Sequence, residues 1–293
     1  MVKWKRDLGL EGRMLLTMFL LAVVYLFFLV FLTFMNAPPL FMLLFIGVAL
    51  GAQYYYSDRI VLWTMNAKVV SENEAPNLHQ TITRLCAIAD LPKPRIAVVN
   101  TQVPNAFATG KGPNSAVVAV TTGLMDRLNQ GELEAVLAHE LSHVKNRDMA
   151  ILTIASFIST LAFYFVRYYL YFGAFGGNRR DSGGIMLVWI VSIAVWVASF
   201  LLIRALSRYR EFAADRGSAI ITGQPSNLTS ALLKISDVMP RIPSDDLRKV
   251  EGMNAFFIIP AAVSGSFMNL FSTHPSTEKR IAALEKIQKE LEL

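Results

Sequence analysis

Apolar and polar positions divide the chain into four long hydrophobic runs separated by sequence of mixed composition. Leu15 to about Met35 is almost unbroken and, as a helix, covers about 30 Å, the thickness of a bilayer core. Asn36-Ala-Pro-Pro39 interrupts it, and Leu40 to about Tyr56 forms a second, shorter run. The third, Ile151 to about Tyr171, carries one charge, Arg167, and a glycine-rich polar loop, Gly173–Gly184, leads to the fourth, Ile185 to about Ile203. The pattern predicts two transmembrane hairpins with spans at about 15–35, 40–56, 151–171 and 185–203. The basic start (Lys3, Lys5, Arg6) also fits a signal peptide. The first run is too long for one, however, no small-x-small site follows it, and a second run comes at once.

The mixed sequence reads as α+β. Ala75–Asp90 has helical spacing (Leu78, Ile82, Leu85, Ala89) and stops before Pro92 and Pro94. Arg95–Asn100 and Ser115–Thr121 read as strands, and Lys111-Gly-Pro-Asn114 supplies a turn through which Ala106–Thr109 can pair with 115–121. Asn129, with Glu132 three residues on, predicts the capped start of a helix to about Arg147. The C-terminal Lys279–Leu293 places Ile281, Leu284, Ile287 and Leu291 on one helical stripe. The expected organisation is mainly α with a small β-sheet. A membrane hairpin fills 1–57, the first part of an aqueous domain 58–150, a second hairpin 151–206 and the rest of the aqueous domain 207–293.

Composition agrees: 54% of residues are hydrophobic and 17% charged, below the quarter or so of soluble domains yet too many for a chain wholly in lipid. The formal net charge of +6 raises nucleic-acid binding. The basic residues instead gather beside the apolar runs, and no basic-aromatic motif accompanies them. Lys3, Lys5, Arg6 and Arg13 precede the first run; Arg59, Lys68, Lys145 and Arg147 lie between the second and third; Arg204, Arg208 and Arg210 follow the fourth. By the positive-inside rule both termini and the mixed sequence are cytoplasmic, in a multi-pass protein of the cell membrane, with Arg179 and Arg180 outvoted. Cys86 is the only cysteine, which excludes an internal disulfide and a thiolate metal site.

Any metal must then be held by histidine and carboxylate, and His139-Glu-Leu-Ser-His143 supplies both. Residues i and i+4 share a helix face, so both imidazoles can reach one zinc ion and leave a position for water. Glu140, about 100° round the helix, stands beside that water as a general base. The third ligand follows from the hairpin. An antiparallel pair of helices returns its ends to one membrane face, which sets Glu211, just beyond the fourth run, against His143, just before the third. Asp215 shares the helical face of Glu211 and can accept the far ring N–H of a bound histidine. Alternatively, Glu211 and Asp215 form a solvated face paired with Arg208 or Arg210. His79 reads as a surface helix residue.

His139-Glu-Leu-Ser-His-Val-Lys-Asn-Arg-Asp148, Arg208-Tyr-Arg-Glu-Phe-Ala-Ala-Asp215, Pro104-Asn-Ala-Phe-Ala-Thr109 and Thr273-His-Pro-Ser276 together resemble peptidase family M48, in the form with two apolar hairpins around the motif. The resemblance implies a gluzincin-like core and one Zn2+ per chain held by His139, His143 and Glu211, with Glu140 as base. It implies a metalloendopeptidase for misfolded or damaged membrane proteins, as in heat-shock proteases, with CaaX-type prenyl-protein cleavage the alternative. By the same resemblance His274 donates to the oxyanion, or else caps or packs near Pro275. Asn105, with the 106–121 hairpin, marks a substrate groove whose edge strand holds an extended peptide, or else is a turn residue after Pro104. Asp148 orients a neighbour or caps the next helix. A rival from another class is a zinc-stabilised membrane chaperone, in which Glu140 has no role. A transporter is disfavoured, because only Arg167 is ionisable at mid-depth.

Overall fold

The elements follow from these patterns in a computed structural model describing residues 7–34, 39–168, 182–242, 258 and 274–292. Helices α1 (Leu8–Phe34) and α2 (Pro39–Thr64) carry the first two apolar runs. Strand β1 (Lys68–Val69), α3 (Pro76–Ala89), β2 (Arg95–Val99), β3 (Ala106–Thr109), β4 (Val117–Thr121) and the single turn α4 (Thr122–Met125) follow. Next come α5 (Gln130–Asn146), α6 (Asp148–Tyr168), α7 (Ser182–Thr222), α8 (Pro225–Val238) and α9 (Thr277–Leu291).

The chain divides into two compact units. One holds 8–54 and 151–206, the other 1–7, 55–150 and 207–293. In the first, Phe28, Leu32, Ala162 and Val195 are buried together, and the Tyr25 hydroxyl of α1 donates to the Ala155 carbonyl of α6. Among the described residues, two helices are long and apolar enough to cross a membrane: α1 and Met186–Thr222 of α7.

Several boundaries differ from the sequence expectation. Helix α1 begins seven residues earlier than the apolar run, at Leu8, and α2 passes Tyr56 to reach Thr64. Gly183 and Gly184, expected in a loop, lie in α7, and the rest of that loop before Ser182 is outside the described residues. Helix α7 does not stop at Ile203, because no proline occurs before Pro225 and the lone Gly217 is absorbed within the helix; Gly223, with a φ of +68°, ends it.

In the second unit the sheet order is β1-β2-β4-β3. Strands β2 and β4 are parallel, whereas β1 and β3 pair antiparallel as the two edges. The expected β3–β4 hairpin is present, and Gly110 makes its turn possible: its φ is +126°, and a Cβ there would meet the Ser115 carbonyl oxygen at 2.6 Å. Strand β1, two residues long, was not legible. Both sheet faces are covered, which explains the unbroken apolar run of β4. Ile96, Val118 and Val120 face α3, α5, α8 and α9 through Leu85, Leu137, Leu232 and Leu284. Ala97, Val99, Phe107, Val117 and Ala119 pack with Val61 and Met65 at the end of α2.

Helix α5, which carries the histidines, is fixed at both ends. Asn129 and Glu132 form a reciprocal capping box, and Arg147 in the left-handed conformation (φ 55°) closes the helix. Glu132 does more than cap. It is buried, accepts from Asn129 N–H at 2.9 Å and from Ser230 Oγ at 2.6 Å, and pairs with Lys234 at 2.7 Å, which fastens α5 to α8. Burial works to raise its pKa, but Lys234 and Ser230 outweigh it and hold the carboxyl below the ordinary value. Glu132→Ala should therefore cost about 1–3 kcal/mol, seen as a lower thermal midpoint by circular dichroism in detergent. A depressed folded pKa contributes stability above the ordinary carboxylate range and loses it as pH falls through the folded value. The gap between wild type and variant should accordingly narrow in acid.

Candidate metal centre

His139 and His143 lie one turn apart on α5, with rings perpendicular and Nε2 atoms 3.2 Å from each other. Small neighbours allow this: Ala138 is fully buried, and Ser142 turns its hydroxyl back to the Ala138 carbonyl. Glu211 of α7 faces both, Oε2 at 3.6 Å from His139 Nε2 and Oε1 at 3.5 Å from His143 Nε2. One ligand atom from each of the three residues falls within 4.8 Å of the others.

Ligands about 2.0–2.1 Å from zinc at tetrahedral angles stand about 3.3 Å apart, so the spacing fits that ion. The charge balance fits as well. Glu140, Asp148, Glu211 and Asp215 are buried carboxylates, whereas the buried guanidiniums beside them are Arg210 and Arg280. With neutral imidazoles, a divalent cation makes up the difference.

The outer ring nitrogens are held by carboxylates. His139 Nδ1 is 3.0 Å from Asp215 Oδ1, and His143 Nδ1 is 2.6 Å from Asp148 Oδ2. A proton kept at each Nδ1 leaves each Nε2 lone pair directed at the metal position. Each carboxylate is anchored in turn. Arg280 of α9 grips Asp215 through two bonds, of 2.9 and 2.6 Å. Arg210 of α7 donates to Asp148 and, at 2.8 Å, to the Asn146 carbonyl, an otherwise open end of α5. Burial opposes protonation of both histidines, but Asp215 and Glu211 at His139, and Glu211 at His143, hold their pKa values above the ordinary one. Arg280 is likewise fully buried yet held firmly charged, chiefly by Asp215.

Glu140 is buried, and burial raises its pKa. The Ala108 N–H of β3 donates to its carboxylate. Thr121 N–H donates to the Asn105 carbonyl at 2.9 Å. Ladder bonds alternate along an antiparallel pair, so Ala106 and Ala108 turn their backbone groups to the outer edge of the described sheet, where Glu140 stands.

The structure thus brings His139, Glu140, His143, Glu211 and Asp215 together. Asp148 both begins α6 and holds His143, and the solvated-face alternative for Glu211 and Asp215 fails on their burial. His274 is buried with Nδ1 3.0 Å from Glu211 Oε2. Asn105 is fully buried, and its Oδ1 accepts from Ile258 N–H at 3.1 Å. His79, expected at the surface, lies in α3 and is partly buried, with Nε2 3.1 Å from the Val70 carbonyl. Arg280 was not legible in the sequence because the apolar stripe of α9 was read as starting at Ile281; Leu284 and Ile287 are buried as that stripe requires, but Ile281 is only partly buried. The buried positions are Arg280, Leu284 and Ile287, with Leu291 exposed. An arginine four residues before Leu284 was the available signal. Arg280 also donates to the Ile258 carbonyl at 2.8 Å and lies 3.5 Å from Glu211 Oε2.

Residues 72–288 match the profile of peptidase family M48. The chain is 75% identical over 290 residues to Protease HtpX homolog 2 of Methanosarcina acetivorans, covering 99% of both. It is 60% identical over 289 residues to Protease HtpX homolog of Moorella thermoacetica, covering 98% of this chain and 97% of that one. Among solved structures, S. mikatae Ste24p is similar in fold, with a TM-score of 0.55 at 19% identity over 95% of this chain. The chain spans 66% of that protein's length.

Asp215→Asn and Asp148→Asn keep the shape but remove the charge that fixes each ring. Each should weaken zinc binding by about 10–100-fold, measured by competition with a chromogenic chelator.

Proposed function

The chain belongs to peptidase family M48 and is a metalloprotease of the membrane, and from that premise we propose that it hydrolyses peptide bonds of misfolded or damaged membrane proteins on the cytoplasmic side. The observation that carries this reading is the convergence of His139, His143 and Glu211 donor atoms within 4.8 Å, with Glu140 one position along the same helix. Those three residues would hold one Zn2+ per chain, which would supply Lewis-acid chemistry for the scissile carbonyl and for the acidity of water.

The chain's own residues do the rest. The Glu140 carboxylate accepts a proton from the attacking water and returns it to the leaving amine. Its buried setting raises its pKa, which makes it the stronger base, and the Ala108 N–H keeps it in place. Asp215 and Asp148 hold the protons at the outer nitrogens of the two rings. Strand β3 is buried among the described residues, and an extended peptide reaching its outer edge would bond to the Ala106 backbone groups and the Ala108 carbonyl while the Ala108 N–H stays on Glu140, which suits unfolded segments of varied sequence. His274 keeps its proposed part as an oxyanion donor from a position beside Glu211, and Asn105 supports the start of β3 by tying Ile258 to it. Four spans, with both termini in the cytoplasm, follow from the apolar runs and the flanking basic residues.

Purified protein with zinc should cleave unfolded casein. Glu140→Gln should lower turnover by about 10²–10⁴-fold while zinc content by metal analysis stays unchanged. Equal turnover by variant and wild type would remove Glu140 from the mechanism and favour a structural metal site. In the same assay Glu211→Ala should lose zinc, and unchanged stoichiometry would discard it as a ligand.

A further inference from the structure

The last turns of α2 have two faces of unlike surroundings. Val61 and Leu62, with Met65 just beyond, pack on the sheet. Asp58, on the same side, is buried and paired with Arg95 at 2.6 Å. The opposite stripe, about 140° wide by the helical period, carries Tyr55, Tyr56, Arg59, Ile60 and Trp63. All five are exposed, Trp63 at 85%. Water does not select such a face, because it leaves three aromatic rings and an isoleucine unshielded.

Cations are interleaved with these rings. The Lys111 ammonium, at the tip of the β3–β4 hairpin, lies 3.7 Å from the centroid of Tyr55, and the Arg59 guanidinium lies 6.0 Å from that of Tyr56. Tyrosine and tryptophan mixed with lysine and arginine make the composition of a membrane–water boundary. A protein-binding core would exclude lysine. Helix length agrees. Pro39–Thr64 is about 39 Å long, close to the roughly 40–45 Å of a bilayer with its headgroup layers. Counted from Pro39, about 30 Å of rise ends near Arg59, which leaves Ile60–Thr64 at headgroup depth.

We propose that this face binds the anionic headgroup layer of the bilayer, Arg59 and Lys111 meeting lipid phosphates while Trp63 and Tyr55 sit in the boundary region. The proposal rests on reading α2 as a span. It sets the hairpin tip at Lys111 against the membrane, so the β3 edge begins at the lipid surface and substrate segments are taken as they leave it.

The test uses the full chain, with a nitroxide on Trp63→Cys in a Cys86→Ala background, in phosphatidylcholine vesicles with and without phosphatidylglycerol. Collision with oxygen and with a nickel chelate reports depth. Val23→Cys in α1 and Lys289→Cys in α9 serve as lipid and water references, and Ile60→Cys replaces Trp63→Cys if the latter fails to fold. The label should read headgroup depth. Arg59→Glu with Lys111→Glu should move it toward the water reference, more so with phosphatidylglycerol present. A label matching Lys289→Cys, or spin–spin broadening from a second copy, would overturn the proposal while Val23→Cys still reads lipid. Were Val23→Cys also to read water, the membrane assignment would fall with it.

Discussion

Two imidazoles with their lone pairs turned toward one point, in a largely buried site, form the constraint on which the rest of the second unit depends. Each ring must be fixed from behind, and a carboxylate does this best. A buried carboxylate, however, is itself costly unless paired. Asp215 therefore requires Arg280 and Asp148 requires Arg210, and removing one member of such a pair costs about 3–5 kcal/mol by leaving its partner charged and alone. The arginines come from different helices, α9 and α7, so the demand for charge pairing at the site also determines which helices must meet. Arg210 and Glu211 are adjacent in sequence. A single turn of α7 acts on His143 from both sides, through Asp148 at Nδ1 and directly near Nε2.

Rigid elements carry these contacts. Helix α5 is capped by Asn129 and Glu132 at its start and closed by Arg147 at its end, so the histidines ride on a helix with little freedom to fray. Asp148 opens α6 directly after that left-handed residue, and the sharp corner is what lets its side chain return to a histidine five residues earlier. Helix α7 runs without a break from Ser182 to Thr222, which puts Glu211 and Asp215 on one face at a spacing the backbone alone enforces.

Local chemistry was legible in the sequence and tertiary pairing was not. His139, Glu140 and His143 could be read because a helix of period 3.6 decides which side chains share a face before any packing is known. The capping box of α5 and the β3–β4 hairpin were equally local. Glu211 was reachable only through the symmetry of an antiparallel hairpin, and Asp215 through its offset from Glu211. Arg280 depends on how α9 docks. A stripe drawn through Ile281 looked as good as one through Arg280, since hydrophobicity alone does not foresee that a buried arginine will be preferred where a buried aspartate awaits it. Strand β1 escaped because two residues carry no periodicity, and the end of α7 because a helix can outlast the apolar run that signals it.

Strand β3 connects the histidine site to the exposed aromatic face of α2. Strand β3 is four residues long, about 13 Å. One end follows Asn105, which holds Ile258 and through it touches Arg280; the other leads by Gly110 to Lys111 on the ring of Tyr55. Between them Ala108 meets Glu140. An extended chain lying on this edge makes its backbone hydrogen bonds without regard to sequence, so selection must come from access. Access is limited by what stands at the Lys111 end. If that end faces lipid headgroups, the chains best placed to reach the edge are those leaving the bilayer without a fold of their own. A folded domain offers unpaired backbone only at its sheet edges, which are commonly short or covered. On the proposed function, position and backbone chemistry would then separate damaged membrane proteins from intact ones without a side-chain pocket to recognise damage.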